Sequence, residues 1–296
     1  MAKTIDEGFK AFLEKLQPLK SEHDKVKTHK ISVHKNLIKN FECSSFFETG
    51  SFGAKTGVRH YADTDYFAVL PVSKLNCKSD YALRKVKESI QLTFTKTAGI
   101  KVRVPAVMIP FGQFTSERME ITPCYFAGFV EPKNKKYPKY MIPNSDREWM
   151  VSCPTAHNDY VNKHNKRLKK GKLKNLIQLV KAWKYYNNVP ISSFYLELRI
   201  TKFAESKEFI EFDKDLYRVL KYLLDITLAS IRDPMGVSGL IPSSSTNIER
   251  AKALSILKKA VSRAAQALEA QRLGNIDNAF GEWKMLFNGK FPSRRI

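Results

Sequence analysis

The spacing of hydrophobic positions changes in character near the middle of the chain. In the first half, short runs rich in β-branched and aromatic residues predict strands at residues 66–72, 100–109 and 118–125. An amphipathic stretch at residues 80–97 predicts a helix between the first two strands. From about residue 159 onward the apolar positions follow a helical period. The pattern therefore predicts an α+β protein in which a mixed sheet with flanking helices precedes a largely helical lobe.

Helical periodicity also covers residues 5–47, with interruptions at 17–18 and 21–30, and predicts a spine helix that reaches Gly50. The segment 131–152, rich in Lys, Pro and Tyr, is predicted to connect the two halves. We expect two domains, residues 1–155 and 156–296. The helices of the second domain are predicted at residues 168–187, 192–203, 213–231 and 248–273.

Size and composition narrow the class of protein. A chain of 296 residues exceeds the size at which single cores tend to split, so a two-lobed body with a cleft is expected. No apolar stretch approaches the roughly 20 residues needed to span a bilayer, and the N-terminus lacks a hydrophobic signal core. We therefore expect a cytoplasmic protein without a membrane partner. Four scattered cysteines argue against a disulfide framework or a zinc ribbon.

A glycine-serine turn followed by two aspartates is the strongest chemical signal in the chain. Gly50 lets backbone N–H groups approach anionic oxygens closely, and Ser51 adds a hydroxyl donor beside them. Asp63 and Asp65 lead into the first predicted strand, where a spacing of two residues projects both carboxylates from one face. Glu120, on another predicted strand, is the candidate third acid. Carboxylates and triphosphate oxygens together form the ligand set that Mg²⁺ prefers.

Each piece has a commonplace interpretation when taken alone. Asp-x-Asp pairs near turns are mostly solvated or bond their own backbone, and Glu120 suits the outward face of a half-exposed strand. The ordered combination, with Thr56 in the intervening loop and Pro123 after the third acid, resembles the nucleotidyltransferases of the DNA-polymerase-β superfamily, and in particular its cGAS/DncV-like (CD-NTase) branch. Two departures from that family's pattern are Ala62, where many relatives have serine, and a glutamate as third acid.

The resemblance implies a polymerase-β-like nucleotidyltransferase core and a helical C-terminal lobe, with the active site in the cleft between them. It continues in the second half, where residues 176–184 and 191–197 resemble the helical lobe of the same family, as does the block 274–292. By this resemblance Lys181 and Ser193 bind phosphate and Phe194 stacks on a base. Without the family, helical periodicity places Lys181 on a solvated flank and Phe194 in the core.

The same resemblance implies a reaction. Asp63 and Asp65 hold one Mg²⁺ at the triphosphate, and with Glu120 they hold a second at the acceptor hydroxyl, Mn²⁺ being an alternative ion. The implied substrates are nucleoside triphosphates, ATP, GTP or others, which are joined into a cyclic di- or trinucleotide with release of pyrophosphate. In bacterial relatives such a product activates an effector in anti-phage (CBASS-type) defence.

The net charge of +22 predicts a polyanionic partner. Triphosphates alone hardly require so many cations, and lysine–phosphate contacts favour a nucleic-acid backbone, so an RNA or DNA activator is expected. A solvated basic surface that only aids solubility is the alternative. The candidate nucleic-acid contacts are Lys27, Lys30, Lys35, Lys135, Lys136, Lys166, Arg167, Lys169 and Lys170.

Two other functions remain open on the sequence alone. One is a template-independent nucleotidyltransferase that extends RNA into linear products, which the basic surface supports. The other is a non-catalytic nucleic-acid-binding protein on the same fold, against which the presence of all three acids counts.

Overall fold

The computed structural model of the protein describes residues 2–17, 20–61, 64–112 and 117–294, and only the backbone of residues 20–27, 52 and 117. Its contacts divide the chain into two compact units, described separately below. The sheet unit comprises Pro18–Asn158 and Met235–Ser238, and the helical unit comprises Met1–Gln17, Asp159–Pro234 and Gly239–Ile296.

The first part of the chain alternates between helices and strands. Its helices are α1 (Ile5–Leu16), α2 (Lys20–Phe41), the single turn α3 (Gly50–Gly53) and α4 (Ser79–Thr93). Its strands are β1 (Ser45–Glu48), β2 (Thr64–Val69), β3 (Lys101–Arg103), β4 (Ala106–Phe111), β5 (Glu117–Val130), β6 (Tyr137–Pro143) and β7 (Trp149–Ser152).

The rest of the chain is mostly helical. Its helices are α5 (Pro154–Arg167), α6 (Leu173–Tyr186), α7 (Ser193–Phe203), α8 (Phe212–Asp225), α9 (Asn247–Arg272) and α10 (Ile276–Leu286), with a small ladder of β8 (Ile231–Arg232) and β9 (Leu240–Ile241). No helix in the part of the chain that the structure describes is long and apolar enough to cross a bilayer.

The seven strands of the sheet unit form one mixed sheet. The strand order is β1-β2-β5-β4-β3, with β6 paired to the far half of β5 and β7 paired to β6. Only β2 and β5 run parallel among these pairs, and the other pairs are antiparallel. A parallel pair needs a long crossover connection, and the chain between β2 and β5 supplies α4 and the β3–β4 hairpin.

The two faces of this sheet differ in their covering. Helices α2 and α4 cover one face, where Val33, Leu37, Val86 and Ile90 pack against inward side chains of β2, β4 and β5 such as Ile121. The opposite face carries a smaller apolar cluster of Phe67, Val69, Cys124 and Ile142. Alternation along each strand produces this division, because neighbouring residues point to opposite faces.

The helical unit is built around aromatic side chains that its first and last helices share. Phe9 and Phe12 of α1 are almost fully buried, and their rings contact Trp283, Phe287 and Phe291 at centroid distances of 4.6–5.3 Å. A capping box begins α1, since the Thr4 side chain accepts from the Glu7 N–H group. The first helix of the chain is therefore held by residues near its other end.

The predicted mixed sheet with flanking helices and a helical lobe is confirmed. Three expectations are corrected. Residues 100–109 hold parts of two antiparallel strands, β3 and β4, and not one. Residues 131–152 contribute β6 and β7 to the sheet and are not simply a connection. Helix α2 runs through residues 21–30 without the predicted interruption. In addition, residues 2–17 pack in the helical unit.

Candidate active site

Two of the three predicted acids lie side by side on the parallel strands of the sheet. Asp65 of β2 is in register with Glu120 of β5. Neighbouring strands lie about 4.8 Å apart, and residues in register project from the same face. Both side chains are half-buried and belong to the face opposite α2 and α4. Residues 55 positions apart in the sequence thus form one carboxylate pair.

The glycine-serine turn lies directly against this pair. Gly50 has a φ of 60°, in the left-handed region, and a Cβ atom placed on it would lie 2.6 Å from the Asp65 Cγ atom and would overlap a carboxylate oxygen. No other residue type fits there without displacing Asp65. The Thr49 N–H group also donates to the Asp65 carbonyl oxygen at 2.8 Å, which ties the turn to β2.

The turn itself is the short helix α3. Within it, the N–H groups of Gly53, Ala54 and Thr56 donate to the carbonyl oxygens of Thr49, Gly50 and Ser51 at 2.9–3.1 Å. The first N–H groups of a helical turn have no intrahelical carbonyl partner, so the donors suited to an external anion are those of Gly50 and Ser51. Thr56, which the sequence motif includes, is fully buried and supports the turn from inside.

The third predicted acid, Asp63, lies outside the described residues, as does Ala62. Among the residues that the structure does describe, no group of three or more His, Cys, Asp and Glu side chains is placed to hold a metal ion. Asp65 and Glu120 nevertheless fit a divalent cation, because two adjacent carboxylates offer the hard oxygen donors that Mg²⁺ prefers. Among the described residues of the site, Asp65 and Glu120 would hold the ion.

Burial shifts the pKa of two other side chains on β2 and β5. Burial, with a smaller contribution from Glu48, raises the pKa of the Tyr66 phenol, which stays protonated at neutral pH. Burial likewise raises the pKa of the Cys124 thiol, whose Sγ atom lies 3.4 Å from the Ala68 carbonyl oxygen. The Tyr66 ring lies on the face covered by α2 and α4, whereas Cys124 lies on the face of Asp65 and Glu120, four residues along β5 from Glu120.

Lys181 is placed differently from the solvated flank that its sequence position favours. Its side chain is fully buried in α6, and its Nζ atom lies 2.8 Å from an Oε atom of Glu197 on α7. Glu197 is itself mostly buried, with 12% of its side chain exposed. The pair joins α6 to α7 inside the helical unit. Phosphate binding by Lys181 stays a prediction.

Ser193 lies at the start of α7, next to a lysine that the sequence analysis did not select. The Lys184 Nζ atom donates to the Ser193 Oγ atom at 2.7 Å, and the Tyr185 hydroxyl lies 3.1 Å from the same oxygen. Phe194 follows and is 37% exposed, so the structure places it at the surface and not in the core. Lys184 is one turn beyond Lys181 on α6 and is partly exposed as a residue, which makes it a further candidate for phosphate contact.

The predicted nucleic-acid contacts fall in both units. In the sheet unit, the Lys30 ammonium lies 5.3 Å from the Tyr66 ring centre, and Lys35, Lys135 and Lys136 are exposed. The side chain of Lys27 lies outside the described residues. In the helical unit, Lys166 and Lys170 are exposed, Arg167 donates to the Ala204 carbonyl oxygen at 2.7 Å, and Lys169 pairs with Glu208 at 3.8 Å. Some of these cations are thus already engaged within the protein.

Comparison with known proteins agrees with this geometry. The family model of the second messenger oligonucleotide or dinucleotide synthetase domain matches residues 3–165, which include the turn, β2 and β5. No curated protein matches the sequence.

Solved structures match over most of the chain. E. coli MS115-1 CdnC, solved with ATP, superposes with a TM-score of 0.75 at 15% identity and covers 97% of this chain and 98% of its own. CdnG from Bradyrhizobium diazoefficiens, in complex with GTP, gives 0.71 at 11% identity, with 96% of each chain covered. Vibrio cholerae DncV, with the linear intermediate 5′ pppA(3′,5′)pG, gives 0.64 at 15% identity over 84% of this chain and 70% of that chain. At these identities the matches show a shared fold.

Proposed function

The chain belongs to the family of second messenger oligonucleotide or dinucleotide synthetases, the cGAS/DncV-like nucleotidyltransferases, and from this premise we propose that it joins nucleoside triphosphates into a cyclic di- or trinucleotide. One observation carries the proposal for this chain. Asp65 and Glu120 are in register on parallel strands, directly against a glycine turn that admits no side chain. That arrangement combines cation ligands with donors for a triphosphate.

We assign the following roles to the residues of the candidate site. The Gly50 and Ser51 N–H groups and the Ser51 hydroxyl would bind the donor triphosphate, and Asp65 and Glu120, with Asp63, would hold the divalent cations. When bound, such cations neutralise phosphate charge and lower the pKa of the attacking hydroxyl. The acceptor hydroxyl then attacks the α-phosphorus in line and pyrophosphate leaves. Glu120 is the candidate acceptor for the hydroxyl proton, and the candidate triphosphate contacts Lys181, Lys184 and Ser193 lie in the helical unit.

Substitution of the carboxylates tests the proposal. Incubation with the four nucleoside triphosphates and Mg²⁺, analysed by mass spectrometry, is expected to give a small nuclease-resistant product from the wild-type protein. Asp65→Asn and Glu120→Gln remove one cation ligand each and are expected to lower the rate by about 100-fold or more, at an unchanged unfolding temperature. Asp146→Asn, on an exposed loop of the same unit, is the matched control. Undiminished synthesis by either site variant would contradict the assignment.

The form of the product separates the alternatives. Linear products that lengthen a supplied RNA strand would favour a template-independent nucleotidyltransferase. A protein that binds nucleic acid but joins no nucleotides under any of these conditions would favour a purely binding role. Which bases are joined, and through which linkage, is read from the same mass spectra.

The positive charge of the chain also supports a proposal for its regulation. A net charge of +22 supports activation by RNA or DNA, and the cyclic product would act on an effector in anti-phage defence within the cytoplasm. E. coli CdnC was solved in a complex with HORMA-deltaN, so a protein regulator is a second candidate. Synthesis measured with and without added structured RNA, at low and high salt, tests the nucleic-acid route, because counterion release makes such binding salt-sensitive.

A further inference from the structure

Two phenylalanine side chains stand exposed on the hairpin formed by β5 and β6. Phe126 and Phe129 are 47% and 52% exposed, and their rings meet edge to face at 5.2 Å. The ladder between β5 and β6 shifts register between these two residues, and Gly128 takes a φ of 90° there. A bulge at this point brings both rings together on one side of the strand. Contiguous exposed aromatic surface of this kind commonly marks a binding site.

The pair is the outer end of a row of rings on one face of the sheet. Phe126 contacts Tyr140 at 6.2 Å, and Tyr140 contacts Phe67 and Phe47 at 5.8 and 5.4 Å. The inner rings of this row pack against the apolar cluster of that face. The exposed rings are therefore supported from below, and the surface they present is already formed before any partner binds.

Lysines border the aromatic pair. The Lys136 ammonium lies 4.4 Å from the centre of the Phe129 ring, a cation–π distance, and the Lys135 ammonium lies 5.1 Å from the Tyr137 ring. Lys133 and Lys139 belong to the same hairpin, and Glu131 is the only acidic residue between positions 130 and 143. The segment thus combines a net positive charge with exposed aromatic faces.

This combination identifies the chemistry of a partner. A partner protein with an apolar patch would use the rings but not the lysines, whereas a nucleic-acid duplex would use the lysines but offer few free base faces. Unpaired bases stack on aromatic side chains while their phosphates contact lysine. We propose that the β5–β6 hairpin is a binding site for single-stranded nucleic acid, with Phe126 and Phe129 stacking on unpaired bases. This inference specifies the nucleic-acid binding suggested under the proposed function.

The site is separate from the carboxylate pair although one strand carries both. Glu120 and Phe126 are six residues apart on β5, which corresponds to about 20 Å of strand. A strand bound at the hairpin would therefore not occupy the position of Glu120. Binding at the hairpin and joining of nucleotides are separate measurements, and one can fail without the other.

Binding of labelled oligonucleotides to the full-length protein tests the proposal. Fluorescence anisotropy at physiological salt would compare a single strand of about 20 nucleotides with a duplex of the same length, each as RNA and as DNA. We expect Phe126→Ala with Phe129→Ala to weaken binding of the single strand by about tenfold or more and that of the duplex by less than about twofold. Phe209→Ala, at a residue of similar exposure in the helical unit, is the matched control. Lys135→Gln with Lys136→Gln is expected to weaken both ligands.

The outcomes are decisive in either direction. If the double phenylalanine variant loses binding to both single-stranded RNA and single-stranded DNA, the result supports stacking on bases regardless of the sugar. If it loses binding to only one of them, the result supports stacking and identifies that nucleic acid as the natural ligand. The proposal is overturned if the wild-type protein binds no single strand, if the double phenylalanine variant binds it normally, or if duplex binding falls equally. A change from dimer to monomer in light scattering, with unchanged binding, would instead identify a contact between two copies. Asp65→Asn is expected to bind the strand normally, which separates this result from the test of catalysis.

Discussion

At the scale of single residues, Gly50 leaves no room for a side chain beside Asp65. Gly50→Ala would force a methyl group into the Asp65 carboxylate and also strain a backbone with positive φ. We expect product formation to fall by at least about tenfold and the protein to lose about 1–2 kcal/mol of unfolding free energy. Initial rates and urea unfolding of the variant measure the two effects.

The variant Gly274→Ala tests the effect of backbone strain in the absence of steric overlap. Gly274 has a comparable φ of 76°, but no atom lies within 4 Å of the position its Cβ would take. This variant is expected to lose a similar amount of stability and to keep full activity. If both glycine variants kept full activity, close packing of the turn against Asp65 would not matter for the reaction.

The buried pair of Lys181 and Glu197 allows a second test at this scale. Glu197→Gln leaves a buried ammonium without its anionic partner and is expected to cost about 3–5 kcal/mol of unfolding free energy. Lys181→Met with Glu197→Leu removes both charges and is expected to recover most of that stability. Chemical denaturation provides the measurement.

The double variant also decides what Lys181 does. If Lys181 contacts phosphate, the stable double variant still fails to make product and its KM for nucleoside triphosphate rises. If the lysine only joins α6 to α7, stability and synthesis recover together. Lys184→Gln, one turn further along α6, is the parallel test for the lysine that hydrogen-bonds Ser193.

At the scale of elements, the strands of the site were predictable and their pairing was only partly so. Period-two patterns identified most of β2 and β5 from the sequence, and placed Glu120 on one strand and Asp65 directly before the other. The register of β2 against β5 depends on which strands pair in the folded sheet, and the local sequence pattern does not contain that information. Strands β6 and β7 were missed because Pro138, Pro143 and the lysines of this segment are typical of loops, whereas pairing of β6 with β5 and of β7 with β6 overrides that preference.

Helix α1 supports a prediction about stability. Phe12 is almost fully buried against Phe287 and Phe291, so Phe12→Ala is expected to cost about 3–5 kcal/mol of unfolding free energy. Phe209→Ala removes an exposed ring and is expected to change it by less than about 0.5 kcal/mol. Urea unfolding followed by tryptophan fluorescence compares the two. Equal stability of both variants would show that α1 is not part of the core of the helical unit.

At the scale of the whole molecule, composition predicted more about partners than about architecture. The charge of +22 and the lack of a long apolar run are properties of the chain, and no folding is needed to read them. The assignment of α1 to the helical unit could not be read in this way, because an amphipathic stripe predicts that a helix is buried without naming its partner. Lys181 illustrates the same limit, since spacing predicted its helix but not its burial against Glu197.

The packing of α1 against α10 has a consequence for biosynthesis. Helix α1 leaves the ribosome before α10 is made, so Phe9 and Phe12 wait for Trp283 and Phe287. At the usual rate of about 5–20 residues per second, that wait lasts roughly a quarter of a minute to a minute. During this time the apolar face of α1 is a natural ligand for chaperones, while the contiguous residues of the sheet unit can already fold.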